Sequence, residues 1–377
     1  MCAPAAALGR CLAFPTAWTA YEFLVSLASP HGTASSLAYS QTDFLLLLQV
    51  VSISGIWGVT FLLTLVPSAL AVAWARRSPL ALAAPVALLL LVLGYGAVRL
   101  RHGAGEPAVP VGLAATDEGI GKAFATGDAA EALSVTRAYA GRVARLAARG
   151  SQVVILPEKF VGVTPADSAQ VRAVLAQAAR ASHVTLVAGL NLVGSQPRRN
   201  MALVFAPDGR AIVAYDKRHM LPGPETGYAV GTTPGLFEVG GVPWGVAICK
   251  DMDFPSWARA YGRRGVRILA VPAWDFVRDG RLHSRMAVVR AVENGFAMAR
   301  AAQQGLLTFA DAYGRIAAET PSSRVPDALL VYSLAPGPGP TLYTWFGDWF
   351  GWASVAALAS LLAAVWSRPR GATPMFR

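Results

Sequence analysis

Four stretches of the chain consist almost entirely of apolar residues. They cover residues 12–28, 44–75, 79–98 and 349–366. An apolar helix needs about 20 residues to cross a bilayer, and these stretches reach or approach that length. The first is the weakest because it contains Glu22. We therefore predict about three N-terminal transmembrane helices and one transmembrane helix near the C-terminus.

The arginines beside these stretches predict how the chain crosses the membrane. One group follows the second stretch and another follows the last: Arg76, Arg77, Arg368, Arg370 and Arg377. Positively charged loops remain in the cytoplasm, so residues 104–340 are expected on the opposite side. Arg99 and Arg101 are a local exception to this rule. The predicted domains are a membrane region over 1–103, an extracytoplasmic domain over 104–340, and a C-terminal helix with its cytoplasmic tail over 341–377.

Residues 104–340 show a different pattern, in which short apolar segments alternate with amphipathic ones. The apolar segments predict strands at 109–115, 152–158, 184–193, 241–249 and 266–274. Polar turns inside two further segments predict hairpins at 201–215 and 305–319. Segments whose apolar residues recur at helical spacing, or that lie between strands and turns, predict helices at 129–149, 168–181, 255–263 and 283–298. This mixture predicts an α/β domain with layered, mixed sheets.

Composition agrees with a chain that lies partly in lipid. The hydrophobic fraction is 54% and the charged fraction is 15%, whereas soluble domains carry about 25% charged residues. The net charge of +11 raises the question of a nucleic-acid partner. We exclude that partner because only four of the 33 basic residues are lysines, and no basic run is interleaved with aromatic residues.

Cysteine and histidine give no sign of a disulfide framework, a metal or a cofactor. The three cysteines are Cys2, Cys11 and Cys249, and they form no CxxC motif. The five histidines lack metal-ligand spacing, and no glycine-rich phosphate-binding motif follows a strand. We therefore expect neither a metal nor a cofactor.

Three stretches end an apolar strand or a hairpin arm with a side chain that can do chemistry. They deliver Glu158, then Lys217 followed by Glu225, and finally Cys249. A carboxylate can take the proton of a thiol, and an ammonium can stabilise the oxyanion that forms when a thiolate attacks a carbonyl. Each residue alone also fits an ordinary role, as a small buried apolar residue or as a loop charge. The pattern alone indicates a membrane-anchored α/β domain that could use a thiol.

Several motifs occur in one order along the chain. They read ILPEKF, YDKRHMLPGPE, GVAICKDMDF, VPAWDF, RAVENGFAMARAAQQG and TLYTWFGDW, preceded by LAYSQTDF and LLQVVSISGIWGVTFLL in the membrane part. In this order they resemble the apolipoprotein N-acyltransferase family, a membrane branch of the carbon–nitrogen hydrolase (nitrilase) superfamily. The resemblance covers nearly the whole chain. It implies a nitrilase-like αββα sandwich flanked by transmembrane α-helices.

The resemblance also implies a Glu–Lys–Cys triad. By position, Glu158 matches the general base, Lys217 the catalytic lysine and Cys249 the nucleophile, while Glu225 and Asp251 match supporting residues. The family transfers an acyl chain from a phospholipid, through a cysteine thioester, to the N-terminal amine of the diacylglyceryl-cysteine of an apolipoprotein. The resemblance thus implies a monomeric, multi-pass protein of the bacterial inner membrane, with its catalytic domain on the periplasmic side.

The chain departs from the family pattern at several places. Family members have more N-terminal spans, which implies a late start, a fragment or a shortened paralogue. Lys250 replaces a tyrosine after the nucleophile, LPGPE replaces a Pro-Phe-Gly-Glu pattern around Glu225, and Phe124 stands at a tryptophan position. These changes leave the triad intact, and what they are expected to alter is the specificity for the acyl chain and for the lipoprotein. Two alternatives therefore stay open: a membrane-tethered amidase or acyltransferase with another acceptor, and a non-catalytic paralogue.

Overall fold

The computed structural model describes residues 3–101, 108–117 and 128–367. Cys2, Phe124 and the arginines after residue 367 lie outside these ranges. Helices at the N-terminus pack with a C-terminal helix, and a two-sheet domain lies between them in the sequence. Helices therefore precede and follow the two-sheet domain in the sequence.

The N-terminal region is helical. Its helices are α1 (Ala3–Ala28), α2 (Leu45–Leu48), α3 (Val51–Ser54), α4 (Ile56–Arg76) and α5 (Ala83–Leu100). Among the described residues, three helices are long and apolar enough to cross a membrane: Ile56–Arg76, Pro79–Leu100 and Trp349–Trp366. They overlap the predicted spans at 44–75, 79–98 and 349–366. α1 covers the predicted span at 12–28 and begins earlier, but it is not one of these three helices.

The predicted span at 44–75 is not one continuous helix. Gly55, with a φ of 64°, separates α3 from α4, and a Cβ added there would lie 2.6 Å from the Tyr343 ring. α4 starts at the next residue, Ile56, whose backbone N–H donates to Glu293 Oε1 at 3.0 Å. Hydropathy does not predict this break, because apolar residues continue on both sides of it.

The middle of the chain folds into two mixed sheets. In chain order the strands are β1 (Val109–Ala115), β2 (Val153–Ile155), β3 (Val161–Val163), β4 (Thr185–Leu192), β5 (Arg199–Phe205), β6 (Ala211–Asp216), β7 (Gly235–Val239), β8 (Val242–Val246), β9 (Ile268–Trp274), β10 (Ala297–Gln303), β11 (Leu306–Ala310), β12 (Ile316–Pro321) and β13 (Ala328–Leu334). The first sheet has the order β13-β1-β2-β4-β5-β6, with β3 paired to β4, and the second has the order β12-β11-β10-β9-β8-β7. β1, β2 and β4 run parallel, as do β8, β9 and β10.

Helices cover the outer face of each sheet. α6 (Ala129–Ala148) and α7 (Ser168–Ser182) pack on the first sheet, and α8 (Pro255–Gly262) and α9 (Gly280–Asn294) pack on the second. Between the sheets lies an apolar core to which both contribute, for example through Val111, Ile155 and Val246. Removing this apolar surface from water is the dominant favourable term in folding. The four layers confirm the predicted αββα sandwich.

One predicted helix has a different end in the structure. The helix predicted at 283–298 ends at Asn294, because Gly295 adopts a φ of 71°, and β10 begins at Ala297. Every residue of α9 from 284 to 294 is buried, since one face contacts the second sheet and the other contacts the N-terminal helices. Neither residues 284–294 of α9 nor β10 has an exposed face, so no polar period marks the change.

Two helices complete the chain. They are α10 (Leu342–Phe346) and α11 (Trp349–Trp366). Asp348, which lies between them, accepts hydrogen bonds from Trp57 Nε1 and from the Tyr343 hydroxyl, both at 2.8 Å. α1 packs along both α4 and α11. The C-terminal helix therefore belongs to the same helical bundle as the N-terminal region.

Candidate active site

Cys249 lies at a sharp bend after β8. Its φ of 41° falls in the left-handed region, which residues other than glycine rarely adopt. A short 3-10 turn, Cys249–Asp253, follows, and α8 then begins at Pro255 as predicted. The residue is half-buried, and its Sγ lies 3.4 Å from the Trp274 carbonyl oxygen. Backbone strain of this kind persists where the surrounding structure holds it, and it is frequent at functional sites.

A lysine, an amide and two carboxylates form a buried hydrogen-bonded group. Lys217 Nζ donates to Glu158 Oε1 at 2.8 Å and to Glu225 Oε2 at 2.9 Å. Asn200 Nδ2 donates to the Oε1 atoms of the same two carboxylates, at 2.6 and 2.7 Å respectively. All four residues are buried. The ammonium and the amide together hold both carboxylates in place.

These residues come together because strands of both sheets end at one place. Glu158 follows β2, and its Oε2 accepts the backbone N–H of Trp274 at the end of β9, at 3.0 Å. Lys217 follows β6, and its backbone N–H donates to the Asn200 carbonyl at 2.9 Å, extending the β5–β6 pairing. The site therefore lies where the ends of β2, β6 and β9 approach Cys249.

A cavity of about 440 Å³ opens over this group. Its lining includes Glu158, Lys217, Glu225 and Cys249, four of the five residues singled out in the sequence. Further lining residues are Lys159, Lys250, Asp253, Trp274, Asp275 and His283. The structure thus brings the three predicted triad residues to one cavity.

Burial and neighbouring charges shift three pKa values in the site. Burial raises the pKa of the Cys249 thiol well above its ordinary value, and Glu158 raises it further, while Lys217 opposes both. Burial alone would lower the pKa of Lys217, but Glu158 and Glu225 raise it well above its ordinary value. Burial alone would raise the pKa of Glu225, but Lys217 and Lys159 lower it to about 2. The thiol is therefore protonated at rest, and Lys217 and Glu225 are charged.

Asp251 supports the site without lining the cavity. Its Oδ2 accepts the Tyr215 hydroxyl at 2.6 Å and the backbone N–H of residue 248 at 2.9 Å. Its Oδ1 accepts the backbone N–H groups of residues 218 and 219, at 3.1 and 2.8 Å. Because these N–H groups directly precede Cys249 and follow Lys217, one carboxylate fixes the two segments relative to each other.

The site predicted from the sequence does not include Asn200, Arg300 or Gln303, although all three hold the site together. Arg300 forms a buried, two-pronged ion pair with Asp275, at 2.8 and 2.5 Å. Gln303 Nε2 donates to the Glu158 backbone carbonyl at 2.8 Å. The available signal is a charged or amide side chain inside an otherwise apolar strand, since such groups are buried only with partners.

Lys250, the residue after Cys249, also faces the cavity. Its Nζ lies 3.1 Å from Asp253 Oδ2 and 3.3 Å from His31 Nδ1. His283 Nδ1 lies 3.7 Å from Asp253 Oδ1. Burial alone would lower the pKa of His283, but Asp253 raises it above its ordinary value. His31 belongs to the loop after α1, so the helical region contributes to the wall of the cavity.

The arrangement supplies the groups that acyl transfer through a thioester requires. It holds a thiol, a carboxylate that can accept its proton, and an ammonium that can stabilise an oxyanion. Within residues 3–101, 108–117 and 128–367, no cluster of three or more histidine, cysteine, aspartate or glutamate side chains could hold a metal ion.

The fold and the site define an α/β enzyme with the nitrilase fold. The family model described as Carbon-nitrogen hydrolase matches residues 120–329, more than half of the chain, and the chain belongs to that family. A second family model, described as Apolipoprotein N-acyltransferase N-terminal domain, matches residues 3–69. The resemblance derived from the motifs is thereby confirmed.

Individual relatives agree with this assignment. The chain is 27% identical to the apolipoprotein N-acyltransferase of Geobacter metallireducens, over 95% of this chain and 74% of that protein. It is also 27% identical to the apolipoprotein N-acyltransferase of Thermotoga maritima, over 98% of this chain and 73% of that protein. Among solved structures, an amidase from Nesterenkonia sp. matches with a TM-score of 0.54 and 21% identity, over 69% of this chain and 97% of the amidase. This last similarity shows the fold.

Proposed function

We propose that the chain is an acyltransferase that acts in lipoprotein maturation. It takes an acyl chain from a phospholipid and transfers it to the N-terminal amine of the diacylglyceryl-cysteine of an apolipoprotein. One observation carries the proposal: Glu158, Lys217 and Cys249 line a single cavity in a chain whose N-terminal region matches that of apolipoprotein N-acyltransferases.

In the first half-reaction, Glu158 accepts the proton of the Cys249 thiol as Sγ attacks the ester carbonyl of the donor. A C–S bond forms, and Lys217 Nζ together with the backbone N–H of residue 250 stabilises the oxyanion. When the C–O bond breaks, the departing lysophospholipid alkoxide takes the proton from Glu158. The raised pKa of the thiol supports this order, because the thiol keeps its proton until a substrate is attacked.

In the second half-reaction, the neutral amine of the acceptor attacks the thioester carbonyl. A C–N bond forms and the C–S bond breaks, and a proton from the amine passes through Glu158 to Sγ. Glu225 keeps Lys217 in place through the 2.9 Å hydrogen bond, and Asp251 holds the nucleophile segment against the segment of Lys217. These two residues act as positioning groups.

Apolar residues near the cavity favour a lipid donor. Phe276 and Leu282 line the cavity and are 55% and 37% exposed, and the neighbouring Val277 is 63% exposed. Large apolar side chains that cluster on a surface mark sites that bind apolar partners. An acyl chain would cover this surface, whereas a small amide would leave it in contact with water.

The proposed topology follows from the domain division at 1–103, 104–340 and 341–377. With Arg76 and Arg77 in the cytoplasm, the catalytic domain lies on the periplasmic side of a bacterial inner membrane. There it meets both the phospholipid and the acceptor. The expectation of a monomer rests on the resemblance to the family.

The test uses the full chain in detergent, with a phospholipid that carries a labelled acyl chain and a diacylated lipopeptide. Intact mass reports an acyl adduct on the protein, and mass spectrometry of the peptide reports transfer. The wild type is expected to form the adduct and transfer it, whereas Cys249→Ser does neither. Cys11→Ser is the matched control, because it removes a buried cysteine of α1 that does not line the cavity.

Each other outcome points to a different function. An adduct that is lost to water and never reaches the lipopeptide would favour the amidase alternative. A wild type that forms no adduct on Cys249 would contradict the proposal and favour a non-catalytic paralogue. Glu158→Gln is expected to slow adduct formation by about 10²–10⁴-fold, the contribution typical of a general base.

A further inference from the structure

A second cavity, of about 300 Å³, lies between the end of α5 and the linker that precedes α10. Its lining comprises Ser52, Tyr95, Arg99, Tyr313, Leu342 and residues 338–341. Among the described residues, the lining of this second cavity shares no residue with the lining of the catalytic cavity. The acyl-transfer mechanism makes no use of this place.

The guanidinium of Arg99 is the cationic group of this cavity. Its Cζ lies 5.4 Å from the centre of the Tyr313 ring, and the Cζ of Arg315 lies at the same distance from that ring. Arg315 is paired, because it binds Asp311 Oδ2 at 2.9 Å and donates to the Leu100 carbonyl. Within the described part of the chain, the guanidinium of Arg99 has neither a hydrogen-bond acceptor nor an ion-pair partner. A guanidinium carries five N–H donors, so this cavity presents unused donors and a net positive charge.

Two hydroxyl groups of the cavity, those of Ser52 and Tyr95, are satisfied by protein atoms. The Ser52 hydroxyl donates to the Gln49 carbonyl at 2.7 Å, so the Tyr95 hydroxyl, at 2.8 Å, donates to Ser52 Oγ. Arg99 is the positively charged side chain that can bind an anion here. Planar guanidinium groups bind phosphate with two parallel hydrogen bonds, and this geometry adds both energy and specificity.

The position of the cavity indicates the source of the anion. Arg99 lies in the last turn of a helix that is apolar enough to cross a membrane, Pro79–Leu100. On the other side of the cavity, Leu342 is 54% exposed, and Trp345 and Phe346 of the same short helix are 56% and 68% exposed. Exposed aromatic residues beside a spanning helix mark the membrane–water interface. The cavity therefore lies at the level of lipid headgroups, on the side of the catalytic domain.

We propose that this cavity binds the phosphate of a membrane phospholipid through Arg99, with the acyl chains lying along α5. The outer face of α5 is suited to them, since Leu90, Leu91 and Val98 are 64%, 72% and 57% exposed. The site also accounts for an arginine that breaks the charge rule used to orient the chain, because Arg99 serves a lipid and not the topology. The proposal does not depend on acyl transfer, because it involves neither Cys249 nor the catalytic cavity.

Native mass spectrometry of the delipidated full chain, titrated with dioctanoyl phosphatidylglycerol, tests the proposal. Arg99→Gln is expected to weaken the binding of one lipid by about ten- to a hundredfold, the range for a charged hydrogen-bonded contact. Tyr313→Leu, which removes the ring beside the guanidinium, is expected to weaken it about two- to fivefold. The readout is the difference from wild type, so a lipid in the catalytic cavity does not affect it.

Two controls separate the phosphate contact from other causes. Arg210→Gln removes one positive charge from a side chain that is 75% exposed in the β5–β6 turn, and it is expected to bind the lipid as the wild type does. Dioctanoylglycerol has the same chains without a phosphate and is expected not to be retained. Equal retention of this glyceride, or wild-type binding by Arg99→Gln, would overturn the proposal.

Inorganic phosphate distinguishes the two sources of the anion. At concentrations equal to the lipid, it is expected to leave the lipid in place, because it lacks the chains that contact α5. Displacement of the lipid would show that the site takes free phosphate, and the assignment to a membrane lipid would be wrong. If Arg99→Gln fails to fold, Arg99→Met decides the question, since it keeps an unbranched side chain but removes the charge and the N–H donors, and unchanged binding would again overturn the proposal.

Discussion

Replacing Asp251 by asparagine tests whether one buried carboxylate holds the two catalytic segments together. Asp251 is 0% exposed, and it accepts three backbone N–H groups and the Tyr215 hydroxyl. Asparagine has the same shape but only one acceptor oxygen, and its NH₂ group can only donate. Backbone N–H groups face both oxygens of Asp251, so at least one of them meets another donor whichever way the amide turns.

The cost follows from the number of bonds that are lost or weakened. One buried donor without a partner costs about 1–3 kcal/mol, and the remaining bonds lose the assistance of the charge, which adds about 1 kcal/mol. We therefore expect a loss of about 2–4 kcal/mol in the free energy of unfolding. At about 2–4 °C per kcal/mol for a domain of this size, the melting temperature falls by roughly 5–15 °C.

Thermal unfolding in detergent and the rate of Cys249 acylation by phospholipid are the two measurements. Asp251→Asn is expected to lower both, with acylation slowed about tenfold or more because Sγ is no longer held in register with Lys217. Asp208→Asn is the matched control, since its side chain is 63% exposed in a hairpin turn. If Asp251→Asn unfolded and reacted as Asp208→Asn does, this carboxylate would not join the two segments.

Three further predictions concern the buried charges and the break between α3 and α4. The pKa of Glu225 is lowered to about 2 from 4.5. Its contribution to the free energy of unfolding, on the order of 3 kcal/mol, is therefore complete above pH 4.5 and is lost as the pH falls toward 2. Melting temperatures measured between pH 7 and 3 should show this loss of stability, and Glu225→Gln should flatten the profile. Arg300→Met leaves Asp275 buried without its partner and should lower the free energy of unfolding by about 3–5 kcal/mol. Combining it with Asp275→Leu should recover most of the melting temperature. An Arg300→Met variant as stable as the wild type would contradict this prediction. Gly55→Ala places a Cβ 2.6 Å from the Tyr343 ring at a positive φ, so it should lower the free energy of unfolding by at least about 1–2 kcal/mol. Gly94→Ala is the control, because no atom lies within 4 Å of its new Cβ, and it should unfold at or above the wild-type temperature.

Elements with a local signal are predictable from this sequence. The hairpin of β5 and β6 turns at Asp208 and Gly209, where two polar residues interrupt apolar runs, and the structure confirms it. β13 has no comparable signal. It pairs along its whole length with β1, which lies more than 200 residues earlier in the chain, from Val109 opposite Leu334 to Ala115 opposite Ala328. A pairing between such distant segments follows from the assembled sheet and not from a local period.

The candidate site divides in the same way. Reactive side chains at strand ends are predictable from the sequence, because strand ends place functional groups on a rigid frame. Three of them, Glu158, Lys217 and Cys249, line one cavity in the structure. Asn200 is not visible, because its position depends on the register of β5 against β6. That register sets the Asn200 carbonyl 2.9 Å from the Lys217 backbone N–H and places its amide beside both carboxylates. The roles of these residues in catalysis remain predictions.

The contacts between the helical bundle and the catalytic domain show that the bundle is more than an anchor. Thr33, in the loop after α1, donates its backbone N–H and its hydroxyl to the Asp253 carbonyl, at 3.1 and 2.8 Å. Asp253 ends the 3-10 turn that begins at Cys249. On the opposite side of this loop, the Thr33 hydroxyl lies 2.6 Å from the Tyr39 hydroxyl, and buried Arg290 of α9 donates to the latter at 2.8 Å. The turn that begins at Cys249 is therefore held both by its own sheet and by residues of the helical bundle, so a displacement of these helices would move Sγ.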